Sequence, residues 1–505
     1  MSFVSQHFAI FLSAALLTAS TIESSAFALL GPIQPWMQMT NGVISSDDIG
    51  GPMYISNGYR WNVPVITYGF DQSFLDYFGS NGVAAVESAI QLLNDLPPAS
   101  QIVLTNYPYD SRHQNFEAQA QSLFDLKSQT VALLLEHLGL AQPTPSIYVL
   151  RQWNPILTNE SSLLLAVFSG TTLTNYIVTL NYDPQNLAPS PYVNETLYSG
   201  QEYDSVHEHA IFTSPAYFGA EAYDAVADDL SANRIGTGDF YTGLTYDDVG
   251  GLAYLLSTNN VNYEPLLSGV VGAGTNANSF VNGAWRPGVD KIIFIRQKVD
   301  SQSGAFLPTT NSFTDNYLVN GRLRQQQMAR IIWQPDFIFS AGDVTTGTPE
   351  LQYFSRTGTT NWLNDATANG NTNDAGPGII EPPVQIVFNK LGRMFFSDSH
   401  TSENQALDDS QFWGSFDGST NAPFIYPILQ TGTNQMTVRL WLTESSPKRI
   451  VWEPKSLSGT LLTMQTSANF TNWTTLFTVT NNGSVCTYFN DSPTSTSRFY
   501  QLISN

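Results

Sequence analysis

The stretch VPVITYGFDQSFLDYFGSNGVAAVESAIQLLNDLPP, residues 63–98, carries two periods in succession, and its reading decides the fold class. Its first part, with Trp61 and Asn62 ahead of it, is a run of β-branched and aromatic residues opened by Pro64, which predicts a strand. In the second part Val83, Val86, Ile90 and Leu93 recur at helical spacing, and Pro97-Pro98 stops the helix. A strand followed directly by an amphipathic helix predicts an α+β core.

The surrounding chain extends that pattern. A long helix is predicted over 115–138, with Leu123, Leu126, Leu133, Leu134 and Leu138 on one side, Gly139 as its C-cap and His137 in the last turn. In GLTYDDVGGLAYLLST (243–258), Thr245 and Asp248 have capping-box spacing, and Val249, Leu252 and Leu256 form the buried stripe. Strands are predicted in SIYVLRQW, LLLAVF and NYIVTLNYD between 145 and 215, and in RPGVDKIIFIRQ (286–297). Beyond 300 the only helical pattern is a short one over 320–331, and residues 357–378 read as a polar loop or linker. The last stretch alternates short strands and turns, with Asn482-Gly483 as a hairpin signal. The predicted layout is a signal peptide over 1–28, an α+β domain over 29–300, a β-rich sandwich-like domain over 301–443 and a small β module over 444–505.

Composition narrows the setting. Of 505 residues, 20 are Lys or Arg and 42 are Asp or Glu, a net charge of −22. Phosphate backbones and anionic membrane faces repel such a surface, so nucleic acid is excluded as a partner, and divalent cations such as Ca²⁺ suit it better. The sole cysteine, Cys486, cannot form an intrachain disulfide and reads as a small buried hydrophobe. Residues 9–20 form an apolar core of signal-peptide length, too short to span a bilayer. Ala26 and Ala28 then offer the small residues for a cut after Ala28. Residues 1–8 contain His7 but no Lys or Arg, and no later run is long enough for a transmembrane helix. The expectation is a secreted or cell-surface protein whose mature form begins at Leu29.

Two resemblances add to this reading. Residues 464–502, with the N-F-T-N-W turn and a terminal R-F-Y, resemble a small fibronectin-like β module at the C-termini of secreted bacterial proteins, which implies attachment or display. The segments 63–97 and 243–256 resemble a family of exported bacterial proteins. They are also similar to the ends of a matrixin-type zinc peptidase domain, where Leu244, Asp247, Asp248 and Gly251 fit an L-x-x-D-D-x-x-G helix start. That resemblance implies a zincin-like N-terminal domain and the metal signature H-E-x-x-H-x-x-G-x-x-H.

The adjacent His207, Glu208 and His209 invite a test of that signature. His207 and Glu208 fit its first two positions, but Ile211, Ser214 and Tyr217 stand where the second ligand, the glycine and the third ligand belong, and Pro215 interrupts a helix there. The domain is therefore read as a degenerate zincin. On a strand His207 and His209 share a side and, with Glu202 or Asp204, form a candidate zinc pair, against the alternative of a solvated strand. Residues 369–376 and 416–421 are candidate Ca²⁺ turns, against the alternative of plain Asx-turns. There is no G-x-S-x-G elbow and no phosphate loop. The expected function is a non-catalytic structural or binding role towards an extracellular polymer, surface component or protein. The alternatives are an extracellular hydrolase, metal-dependent or carboxylate-based, and a carbohydrate-binding protein. An acid- or histidine-lined cleft would mark the enzyme, and an exposed aromatic row the binding protein.

Overall fold

The computed structural model describes residues 26–32, 50–147, 149–152, 176–198, 200–204, 209–210, 212–215, 236–300, 303–342, 355–364, 376–390, 412–426, 438–442, 448–454, 461–468, 472–480, 487–491 and 499–504. The fold is mixed, with few helices and many strands in several sheets. Its contacts divide the chain into two units, residues 1–425 and 426–505.

In the first unit, strand β1 (Phe27–Gly31) pairs antiparallel with Gly51–Met53, Leu140–Ala141 and Asn181–Tyr182. Strand β2 (Val65–Phe70) is the one expected from the sequence, and it lies inside a larger sheet. The order there is Ile293–Arg296, β2, Phe337–Gly342, Gly378–Asn389 and Ser355–Leu363; the first four run parallel and the last antiparallel. Parallel strands are covered on both faces and need near-continuous apolar runs, which VITYGF and FIFSAG supply. Helix α1 (Gln72–Asn94) starts earlier than its 81–98 pattern suggested and kinks at Gly79. Asp71 caps it, accepting the Phe74 amide at 3.0 Å. Phe74 packs 4.9 Å from the Phe70 ring and 6.0 Å from that of Phe388, seating the helix on the sheet.

The helix expected over 115–138 is broken. Phe116–Ala120 makes a short helix, Ser122 takes a positive φ, and Leu123–Asp125 turns into a strand before helix α2 (Leu126–His137) begins. Asp125 is the reason: its carboxylate accepts the Ser128 amide at 2.8 Å and restarts the helix three residues on. Helix α3 (Tyr246–Leu256) has the expected box, with the Thr245 amide donating to Asp248 at 2.8 Å and the Thr245 hydroxyl taking the Asp248 amide.

A second sheet of five antiparallel strands has the order Asn262–Glu264, Ala284–Arg286, β3 (Thr309–Val319), β4 (Arg322–Ile332) and Val270–Gly272. The short helix expected over 320–331 is therefore a strand. Asn320 and Gly321 both have positive φ (52° and 71°), the requirement of a two-residue hairpin turn, and their pairing sets the 11-residue register of β3 and β4. The loop expected over 357–378 also yields a strand, Ser355–Leu363, laid against Gly378–Asn389.

Hydrogen-bonded pairings span two of the expected boundaries. The parallel sheet takes β2 from one side of residue 300 and Phe337–Gly342 from the other, so 300 lies within one hydrogen-bonded unit. Residue 443 falls between Val438–Leu442 and Lys448–Pro454, which pair with each other. The second unit, described by itself, has two three-stranded antiparallel sheets. Val438–Leu442, Lys448–Pro454 and Thr487–Asp491 form one, and Leu461–Ser467, Thr474–Thr480 and Phe499–Ser504 the other.

Candidate functional site

Of the residues first suspected of holding a metal, His209 is among the described ones. His209 sits on a two-residue strand paired opposite Asp204, while His207 and Glu208 lie outside the described residues. Among the described residues, no three His, Cys, Asp or Glu side chains gather where a metal ion could sit. Of the two Ca²⁺ candidates, 369–376 lies outside the described residues apart from its last position. In 416–421 the loop carbonyls of Gly418 and Asn421 are taken by the side-chain amide of Asn115, and Asn421 donates to Asp417 at 3.3 Å. Those two carbonyls are held by a protein donor.

Helix α2 runs into a turn at Gly139. Gly139 takes φ +111°, and a Cβ there would lie 2.2 Å from the Tyr59 carbonyl, so the chain can turn at this point only on glycine. Gln142 donates to Glu136 at 3.4 Å. Ala132 and Leu133 are both buried.

The remainder of α2 is closed off on nearly every side. His137 is 1% exposed; its carbonyl accepts the Trp61 indole at 2.7 Å, and its ring stands edge-on to Phe337. Burial pulls its pKa down to about 3, so the imidazole is neutral. At the other end burial pushes Asp125 up to about 6, against the hydrogen bonds from Ser128 that favour its charged form. These groups belong to the interior.

The five-stranded sheet presents the opposite situation. Period-2 alternation assigns one face to Glu264, Arg286, Asp315, Gln326, Met328 and Arg330, all buried. Arg286 forks onto Asp315 (2.9 and 3.1 Å), Arg60 reaches Glu264 at 2.8 Å, and Arg330 forks onto Asp336, whose carboxylate also takes the Thr67 amide at 2.8 Å. These bonds tie the inner face to β2 and its neighbours.

The outer face carries no ionisable acid or base apart from a tyrosine phenol. One rung reads Tyr263, Trp285, Leu318 and Leu323 across four strands. The next pairs Asn316 with Gln325, whose side chains bond at 3.0 Å, and the following one Thr314 with Gln327 at 3.1 Å. Ser312, Ala329 and Val271 come next, then Thr310 with Ile331. Trp285 is 51% exposed and its ring meets Tyr263 edge to face at 5.7 Å; Leu323, Val271 and Ile331 are exposed too. Arg322 and Arg324, also exposed, fall in the inner register at the hairpin's far end.

Aromatic rings, amides and hydroxyls on one open plane can stack on an uncharged ligand and exchange hydrogen bonds with it, but they supply no group for proton transfer near neutral pH. Comparison of the chain with family models, with curated proteins and with solved structures returns no match.

Proposed function

We propose that this is an exported, non-catalytic binding protein that holds a neutral extracellular polysaccharide against the outer face of its five-stranded sheet. The observation that carries the proposal is the absence of acids and basic groups from that face in a chain of net charge −22, with Trp285 and Tyr263 at one end of it. A polyanion would require cations there, and a polycation acids. A neutral glycan requires flat apolar ring faces for its C–H surfaces, with amide and hydroxyl partners for its hydroxyls, and the rungs offer both.

Three further points support the reading. The zinc signature resembled by the chain has Ile211, Ser214 and Tyr217 where the second ligand, the glycine and the third ligand belong, as a degenerate zincin-like domain would. The apolar segment at 9–20 suits export to the surface or the medium. The resemblance of the last residues to a small sandwich-like display module suits a binding protein better than a diffusing hydrolase.

The test is sedimentation of the purified protein with insoluble neutral glycans, such as cellulose and chitin, beside an anionic gel such as alginate. Retention on a neutral glycan that persists in 1 M salt and drops at least tenfold in Trp285→Ala is expected. Retention on the anionic gel alone, or no difference between wild type and Trp285→Ala, would reject the proposal.

A further inference from the structure

The expected cut after Ala28 would fall inside β1. All five residues of that strand are buried, and the strand is the hub of its sheet: Ala28 faces both Asn181 and Ala141, while Phe27 faces Tyr182. The Phe27 ring lies 5.7 Å from that of Tyr254 on α3 and 6.5 Å from that of Tyr182. A Cβ on Gly251 would come within 3.1 Å of Phe27, so α3 approaches this residue as closely as a glycine permits. Ala28 joins Leu30 and Ala141 in one buried cluster against Trp362. A chain beginning at Leu29 would lose the Phe27 ring and three strand pairings, Phe27 with Tyr182 and Ala28 with Asn181 and Ala141. It would also place a terminal ammonium on Leu29, which is fully buried in the intact strand.

We infer that the leader is removed on the N-terminal side of Phe27, leaving β1 whole. The small-residue requirement of signal cleavage is met there without Ala28. Ser24 and Ala26 have the same spacing ahead of the Ala26–Phe27 bond, as do Thr18 and Ser20 ahead of Ser20–Thr21. At either bond the step is ordinary amide hydrolysis by a leader peptidase acting on the unfolded chain. Water adds its oxygen to the carbonyl carbon, the C–N bond breaks, the leader leaves as a carboxylate, and the mature chain keeps the amine. Ala28 is then a buried residue of β1 whose small side chain imitates a cleavage site.

This inference rests on the export reading, and one experiment separates the two. Intact mass and N-terminal sequencing of the protein recovered from the outside of the source cell should show a first residue from Thr21 to Phe27. A first residue of Leu29 would overturn the inference while leaving export intact. Exported material that still begins at Met1 would overturn both, because no leader would have been removed. The mass difference between chains starting at Phe27 and at Leu29 is that of one Phe and one Ala, well within reach of the measurement.

Discussion

The two faces of the five-stranded sheet use the same backbone for opposite purposes. Inside, Glu264, Arg286 and Arg330 form buried ion pairs with Arg60, Asp315 and Asp336; outside, the same strands present Trp285, Leu323, Asn316, Gln325, Thr314 and Gln327. Most domains place charge outward and apolar groups inward. Here the charged groups fix which strand lies against which, since a forked guanidinium tolerates little displacement, and the open face is left neutral. The contrast separates residues that determine the architecture from residues free to meet a ligand, and each side can be broken independently.

The largest effect is expected from Arg286→Ala. It strands the Asp315 carboxylate at 5% exposure and removes the donors to the Glu264 and Val281 carbonyls. Removing one member of a buried pair costs about 3–5 kcal/mol, so the chemical denaturation midpoint should fall steeply. A change below about 1 kcal/mol would mean that the inner network does not hold the sheet. The neighbouring Trp285→Ala, one residue away on the other face, should change stability within about 0.5–1 kcal/mol.

That contrast also explains what the sequence disclosed. β2, the body of α1 and the Thr245–Asp248 box were legible because each obeys a local rule: a β-branched run, a 3.6 period, a side chain reaching the next turn. β4 was not. Its run R-L-R-Q-Q-Q-M-A-R has high helix propensity, and its alternation is invisible as a hydrophobic pattern because Gln326 and Arg330 point inward while Leu323 and Ile331 point outward. The Asn320-Gly321 turn was the available signal. The parallel sheet was hidden for a different reason: its strands lie hundreds of residues apart, joined by contacts such as Arg330–Asp336–Thr67 that no local period reveals. Two imidazoles in sequence say nothing about a third ligand in space, so the candidate histidines carry no site by themselves.

The second prediction concerns the other buried polar region, α2, whose two ends should pull stability in opposite directions with pH. Between about 4 and 6 the folded chain keeps a proton on Asp125 that the unfolded chain releases, so this group lowers stability as pH rises through that window. Between about 3 and 6.5 the unfolded chain protonates His137 while the buried ring stays neutral, so stability rises with pH. Each slope is at most about 1.4 kcal/mol per pH unit, and where the windows overlap they cancel. Asp125→Asn keeps a capping oxygen and removes one of the two. The stability of wild type relative to this variant should decline from pH 4 to 6, by up to about 2–3 kcal/mol. A difference independent of pH would show that Asp125 titrates normally.

On the outer face, the third prediction grades the aromatic contact. Trp285→Phe should keep most glycan retention, since a flat ring remains, whereas Trp285→Ala should lose at least tenfold, about 1.4 kcal/mol. Equal losses in the two variants would mean that the indole N–H, and not the ring face, makes the contact, and would shift the site towards a ligand with a matching acceptor.

The smallest effect is expected from adding one charge to the neutral face, Gln325→Glu. The side chain is exposed and donates to the Asn316 amide oxygen, so loss of that bond should cost within about 0.5 kcal/mol of stability. Binding should respond more than folding. A carboxylate covered by a neutral sugar gives up hydration and receives only hydroxyl donors in return, so retention should fall a few-fold, about 0.5–1 kcal/mol. Salt distinguishes this desolvation from long-range repulsion. Wild-type retention should not change between 0.1 and 1 M salt, because a neutral ligand on a neutral face gives the Debye screening of about 10 to 3 Å nothing to screen. The Gln325→Glu deficit should survive the same increase, since burying a charge costs the same whether or not distant charges are screened. If high salt restored the variant to wild-type retention, the ligand would have to be an anion repelled by the new carboxylate, and the neutral outer face would need a different occupant.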